Sequence, residues 1–103
     1  EKSAMGWYLD GRATAVIGSH THVQTADERI LPQGTAYLSD AGMTGPKNSV
    51  IGVKTENAIS KFMTKFPRRF ETATGETQLR AAVVNLDPQS GKAKSIERIQ
   101  LDV

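Results

Sequence analysis

Apolar positions along the chain alternate between two periods, and the changes of period mark its elements. Ala4, Met5, Tyr8 and Leu9 recur at the spacing of one helical face, which predicts the end of an amphipathic helix over residues 2–10. Trp7 and Tyr8 are expected to pack that helix onto a sheet. Gly11 supplies the stop, because glycine enters the left-handed region without a Cβ penalty. Residues 13–17 form a short apolar run containing Val and Ile, which predicts a buried strand ending at Gly18. Residues 29–31 and 35–38 flank Pro32-Gln33-Gly34 and read as a hairpin. Residues 40–46 hold two glycines and a proline, a loop composition that lets backbone approach a ligand. Residues 50–53 suit a short strand or an extended loop.

The clearest helix is predicted over residues 55–66. Thr55 is placed to cap it, and Ala58, Ile59, Phe62, Met63 and Phe66 form one apolar stripe expected to lie in the core. Pro67 ends it by pushing the preceding residue out of the helical region. Residues 70–74 are a further strand candidate, and residues 78–86 and 93–103 form a second hairpin around Asp87-Pro88-Gln89-Ser90-Gly91. The expected class is α/β in the mixed sense, with about six strands and two helices, and no internal repeat or linker interrupts it.

Composition narrows the picture. With 103 residues, 38% hydrophobic and 23% charged, the chain suits one small globular domain. No apolar run approaches the ~20 residues that span a membrane, so no membrane partner is expected. Cysteine is absent, which rules out disulfides and thiolate metal sites and suits a cytoplasmic location. The net charge of +2 is spread out apart from Lys54, Lys61, Lys65, Arg68 and Arg69, which read as a solvated face rather than a nucleic-acid surface. The opening Glu1-Lys2-Ser3-Ala4 has no initiator Met and begins inside a helix, as a piece of something longer would.

The candidate chemistry lies in two histidines, His20 and His22, which follow the predicted strand of residues 13–17. Strand ends are where open α/β sheets gather ligand-binding groups. In an extended segment residues i and i+2 point to one side, so both imidazoles would face one pocket. Neutral imidazole is a good ligand for several transition metals. The spacing alone favours ordinary loop residues, and two ligands are too few, since a catalytic zinc takes three from the protein. The other donors available are Asp27, Glu28, Asp40 and Asn48, and the first two read better as surface or turn carboxylates.

The stretch from Gly18-Ser19-His20-Thr21-His22 through Val23-Gln24-Thr25-Ala26-Asp27-Glu28 resembles the last metal-binding motif of calcineurin-like metallophosphoesterases. Its continuation into Ile30-Leu31-Pro32, Gly34-Thr35-Ala36-Tyr37, Asp40-Ala41-Gly42-Met43-Thr44-Gly45-Pro46 and Ser49-Val50-Ile51-Gly52 resembles the YmdB family in particular. The resemblance covers nearly the whole chain, most specifically residues 18–52. It implies that residues 1–103 are the carboxy-terminal part of a single four-layer α/β/β/α sandwich domain, whose amino-terminal half is the absent partner. It implies metal-dependent hydrolysis of phosphodiesters, 2′,3′-cyclic nucleotides among them, with two metal ions (Fe, Mn or Zn). His20 would ligate one metal and His22 the other, while the remaining ligands and the general acid lie upstream. Thr44 or the Gly45 N–H would meet a phosphate oxygen of the substrate. On this reading the chain is inactive alone, and its uncovered surface favours apolar exposure or a homo-oligomer. A stand-alone binding module and a non-catalytic remnant are the competing readings.

Overall fold

The computed structural model describes residues 1–103 and contains two helices and six strands. These divide into two compact units. One comprises Glu1–Met43 with Arg80–Ile99, and the other Thr44–Leu79 with Gln100–Val103. The sequence contains no linker at either boundary. The chain crosses at Met43–Thr44 and within the two long strands of its final hairpin.

The first unit is built on a three-stranded sheet of β1 (Ala15–Ile17), β2 (Arg29–Ile30) and β3 (Ala36–Leu38), in the order β1-β3-β2. β1 runs parallel to β3, and β2 pairs antiparallel with it through the hairpin that Pro32-Gln33-Gly34 turns. The central strand carries the core, with Ala36, Tyr37 and Leu38 all buried and Leu31 beside them. Thr35, also buried, joins three segments: its Oγ1 donates to the Ala13 and Leu9 carbonyls and accepts from the Gly11 N–H. β1 is an edge strand with Ile17 well exposed, not the buried strand predicted from its composition. A short apolar run marks a strand but does not say how many of its faces are covered.

Helix α1 (Lys2–Leu9) sits where expected, but its packing does not follow its apolar stripe. The buried residue is Gly6, where a Cβ would lie 2.6 Å from Cδ2 of Tyr37. Met5, Trp7 and Tyr8 are exposed, and the two aromatics lie beneath guanidinium groups, Trp7 with Arg29 and Tyr8 with Arg12. The helix approaches its sheet through its smallest residue, and Trp7 reaches the sheet through the Arg29 side chain of β2 while staying half exposed.

The second unit holds β4 (Gly45–Pro46) and α2 (Thr55–Thr64). β4 pairs antiparallel with the start of β5 (Thr77–Leu86), so Gly45 and Pro46 belong to a strand rather than to the predicted loop. Residues 50–53 form a two-residue hairpin closed by mutual Val50 and Val53 hydrogen bonds, with Ile51 at φ 48° and Gly52 at φ 91°. This is the primed turn geometry that matches the twist of antiparallel strands. Lys54, not Thr55, is the N-cap of α2, and the helix stops at Lys65, which takes φ 59°, before Phe66 is reached. Of the predicted stripe only Ala58 is buried. Ile59, Phe62, Met63 and Phe66 all face outward. Residues 70–74 make no full strand, only a bridge from Thr72 to Val53, with Ala73 buried.

The final hairpin is β5 with β6 (Ala93–Asp102), closed by the Asp87–Lys92 turn. The chain exposes 7101 Å² in all. A folded monomer of 11.2 kDa exposes about 5,700 Å². The difference is roughly 1,400 Å², and large apolar side chains such as Phe62, Met63 and Phe66 contribute to it. No helix is long and apolar enough to cross a membrane.

Candidate metal centre

The loop of residues 18–25 leaves the end of β1 and is sewn onto the segment that follows β3. It begins at a glycine with a steric requirement, because a Cβ on Gly18 would collide with the carbonyl oxygen of Ser39. That close approach lets Gly18 donate to the Leu38 carbonyl and accept from the Ala41 N–H. At the far end of the loop, Thr25 bonds both to and from the backbone of Asp40 and contacts the Ser39 hydroxyl.

Between these anchors the loop is clamped by one carboxylate. Asp40, 1% exposed, accepts from the His20 N–H at 3.0 Å, the Thr21 N–H at 2.7 Å and the Thr21 hydroxyl at 2.7 Å, all on Oδ2. Its Oδ1 accepts from the Gly42 N–H at 2.9 Å. Lys2 Nζ stands 3.7 Å from Oδ2 and supplies a countercharge from α1. Burial alone would raise the Asp40 pKa. The bonds from the Thr21 hydroxyl and from the Gly42, Thr21 and His20 amides outweigh it and hold the carboxyl well below the usual range.

The clamp bends the segment out of the extended conformation assumed from the sequence. His22 takes φ 65°, in the left-handed region, where His is tolerated better than most residues but still at a cost. The two-residue alternation of a strand therefore does not govern where the imidazoles point. Both histidines are exposed, and neither ring makes a hydrogen bond or ion pair within the chain. Their ring nitrogens are free to act as donors on a loop whose backbone is fixed.

Asp40 thus holds the loop in place, with both of its oxygens engaged in hydrogen bonds. Asp27 engages one oxygen, Oδ1, in the same loop, accepting from the Thr25 hydroxyl at 2.8 Å and the Ser39 N–H at 3.1 Å. Burial pushes its pKa up, but hydrogen bonds from Ser39 and Thr25 dominate and lower it. Glu28 faces Arg98 at 2.8 Å, a distance that gives charge attraction although neither atom finds hydrogen-bond geometry. Arg98 also donates to the Thr25 carbonyl and ties the loop to β6. Asn48 lies in the second unit and is exposed.

The residues present fit a metal as part of its ligand set. Two unengaged imidazoles are borderline donors suited to Fe, Mn or Zn, and no three His, Cys, Asp or Glu residues of the chain converge on one point. Thr44 and Gly45, named from the sequence as substrate contacts, belong to the second unit. Lys47 donates to Glu76, and the alternation of an antiparallel ladder makes Gly45 and Gln78 the next hydrogen-bonded pair. That register directs the Gly45 N–H into the sheet. Thr44 keeps an exposed side chain.

Asp40 and Gly18 shape the candidate loop in ways that sequence reasoning missed. A glycine directly before the motif was the only local signal of the close backbone approach.

Comparison with known proteins gives a consistent answer. The chain is 55% identical over 102 residues to a 2′,3′-cyclic-nucleotide 2′-phosphodiesterase of Bacillus subtilis, covering 99% of this chain and 39% of that protein. It superposes with TM-score 0.92 on the crystal structure of a hypothetical protein from Thermus thermophilus, at 40% identity, covering 99% of this chain and 40% of that one. A crystal structure of a novel phosphatase from Mycoplasma pneumoniae matches with the same TM-score at 37% identity, covering 98% of this chain and 36% of that one. The chain therefore spans about 39% of the length of the curated relative it matches. The family model for YmdB-like proteins matches residues 1–99, and with the clamped His-x-His loop on β1 this chain belongs to the YmdB-like family.

Proposed function

We propose that the protein hydrolyses phosphodiesters, 2′,3′-cyclic nucleotides among them, at a dinuclear metal site to which this chain contributes His20 and His22. The observation that carries the reading is the loop itself. Two exposed imidazoles with free nitrogens stand on a loop that the His20 and Thr21 amides and the Thr21 hydroxyl tie to one buried carboxylate. The 55% identical relative named as a 2′,3′-cyclic-nucleotide 2′-phosphodiesterase supports the substrate class.

When bound, a pair of Fe, Mn or Zn ions supplies Lewis-acid neutralisation of charge developing on the phosphoryl oxygens. His20 is assigned to one ion and His22 to the other. Asp40 acts through them, fixing the backbone from which both rings project. Gly18 allows the loop its close seat on residues 38–41. The Thr44 hydroxyl is assigned as a contact for a substrate phosphate oxygen, whereas the Gly45 N–H turns into the sheet. Two imidazoles fall short of a catalytic ligand set, so the other ligands and the general acid come from outside these residues, and these residues alone are inactive. The cysteine-free composition suits the cytoplasm as its compartment.

The test uses the protein as encoded, loaded with Mn, Fe or Zn in turn, with 2′,3′-cyclic AMP as substrate. His20→Ala and His22→Ala are each expected to lower kcat at least ~100-fold, with bound metal reduced on elemental analysis and stability little changed. Full activity and full metal content in both variants would refute the assignment.

A further inference from the structure

We infer that a cleft at the amino-terminal end of β1 is a binding site for a phosphate group, separate from the histidine loop. Three turns distant in sequence meet there: residues 11–14 between α1 and β1, Gln33-Gly34 of the β2–β3 hairpin, and residues 90–92 of the last hairpin. They line a volume of about 160 Å³, and all three belong to the first unit. Hydrogen bonds fix them to one another. Thr14 Oγ1 donates to the Gly91 carbonyl at 2.7 Å, and the Ala93 N–H donates to the Gly34 carbonyl at 2.8 Å. The Gln33 N–H donates to the Asp10 carboxylate at 3.0 Å, just ahead of the first turn. The cleft is therefore formed before any ligand arrives, and binding costs little ordering.

Its chemistry is cationic. Arg12 and Lys92 both line it, and neither side chain makes an ion pair or hydrogen bond within the chain. Both are nevertheless held in place. The Arg12 guanidinium lies over the Tyr8 ring, 4.9 Å from its centroid. The Lys92 stem lies against Gly34, whose φ is 96° and where a Cβ would stand 3.0 Å from Lys92 Cβ and Cγ. Asp10 and Asp87, the carboxylates that flank these turns, are spent on their neighbours. Asp10 accepts from the Gln33 and Thr35 amides, and Asp87 from the Gln89 amide and the Ser90 hydroxyl. Two like charges sharing one small cleft repel each other and concentrate counterions, and a bound anion removes that cost.

Size and charge select the ligand. The volume is well below the ~300–1,000 Å³ of sites that enclose whole small molecules, so the cleft takes one group rather than a nucleoside. A guanidinium offers paired N–H donors and an ammonium a point charge, a combination suited to phosphate oxygens. The ligand is inorganic phosphate or the phosphomonoester end of a larger molecule. It is not a phosphate held at the histidines. Thr14 and Gly18 flank β1 at its two ends, roughly 13 Å apart along the strand, and the histidines lie beyond Gly18.

The test is isothermal titration calorimetry of the protein as encoded, in phosphate-free buffer of low salt, with inorganic phosphate and in parallel with a nucleoside 3′-monophosphate. The variants are Arg12→Gln, Lys92→Met, their combination, and His20→Ala/His22→Ala. Arg12 and Lys92 are exposed, so replacing them does not threaten folding, and methionine keeps an apolar stem against Gly34. Arg12→Gln and Lys92→Met should each raise the phosphate dissociation constant about tenfold, and the pair about 100-fold, with kcat for 2′,3′-cyclic AMP unchanged. Binding at the cleft should persist in His20→Ala/His22→Ala, which keeps the result independent of the proposed metal site. Tighter binding of the monophosphate than of phosphate assigns a phosphomonoester, and equal or weaker binding assigns the free ion. Phosphate binding unchanged in the Arg12→Gln/Lys92→Met variant, or lost in His20→Ala/His22→Ala, would overturn the inference. So would a wild type that binds no phosphate, which would mean that residues outside this chain already neutralise Arg12 and Lys92.

Discussion

Replacing Asp40 by asparagine leaves the shape of the side chain and removes its charge and one of its two acceptor oxygens. Whichever way the amide is turned, an NH₂ group then faces a donor. On one side it meets the His20 amide, the Thr21 amide and the Thr21 hydroxyl, and on the other the Gly42 amide. Hydrogen bonds to a charged acceptor contribute ~1.5–3 kcal/mol each, and an orphaned buried donor costs ~1–3 kcal/mol. The four bonds share one carboxylate and do not add, so the expected loss is roughly 3–5 kcal/mol, a large part of a typical 5–15 kcal/mol stability. Urea unfolding should show a lower midpoint with an unchanged slope. The acid limb supplies an independent check. The folded carboxyl titrates below its unfolded value of ~3.9, so the unfolded chain binds more protons in this range. The stability Asp40 contributes is then complete above about pH 5 and is lost as pH falls through the folded value. Asp40→Asn should flatten that limb. A variant within 0.5 kcal/mol of wild type, with an unchanged acid limb, would refute the clamp.

Other changes separate positioning from ligation. His22→Gly relieves a left-handed backbone and should raise stability by roughly 0.5–1 kcal/mol by thermal unfolding while metal content falls; a loss of stability would mean that the φ of His22 is not strained in solution. Gly18→Ala must displace the Ser39 carbonyl or the loop, and should destabilise by more than ~2 kcal/mol in urea; a near-neutral result would mean the close approach yields readily. Gly6→Ala forces α1 off the Tyr37 ring and should cost ~1–3 kcal/mol, read in the same experiment, whereas a neutral variant would show that α1 contributes little packing.

Much of the fold was legible where local chemistry decides it. The turn at Pro32-Gln33-Gly34 fixes the β2–β3 hairpin, and Asp87 to Gly91 closes the last one. The helices lie within two residues of their predicted spans. Orientation was not legible. The stripe of α2 was expected to be core and is surface, because periodicity reports that a helix has an apolar face and not what covers it. The α1 contact was missed for the opposite reason, since its packing residue is a glycine and contributes nothing to the stripe. In the candidate site, the spacing of His20 and His22 alone favours ordinary loop residues, and their reading as ligands comes from the family resemblance. Their geometry was not legible, because it depends on Asp40, some twenty residues away, and no local pattern distinguishes a buried clamp from a metal ligand.

That distinction follows from what a ligand loop must do. Metal ligands have to be held within about half an ångström of their working geometry, yet stay accessible to the ion and to substrate. Burying apolar side chains would rigidify the loop and close it off, and here Val23, the one large apolar residue of the turn, is left in solvent. Hydrogen bonds from backbone amides to a buried acceptor rigidify without covering, and a carboxylate serves best because it can take several at once. An Asp40 that bound metal would have to release those amides, and the loop would loosen as the ligand count rose. One buried carboxylate spent on the backbone leaves two imidazoles without partners in the chain, as the proposed metal site requires. The sequence places that carboxylate two residues after the most buried strand of its unit, where the surrounding backbone is tied by hydrogen bonds to the loop it holds.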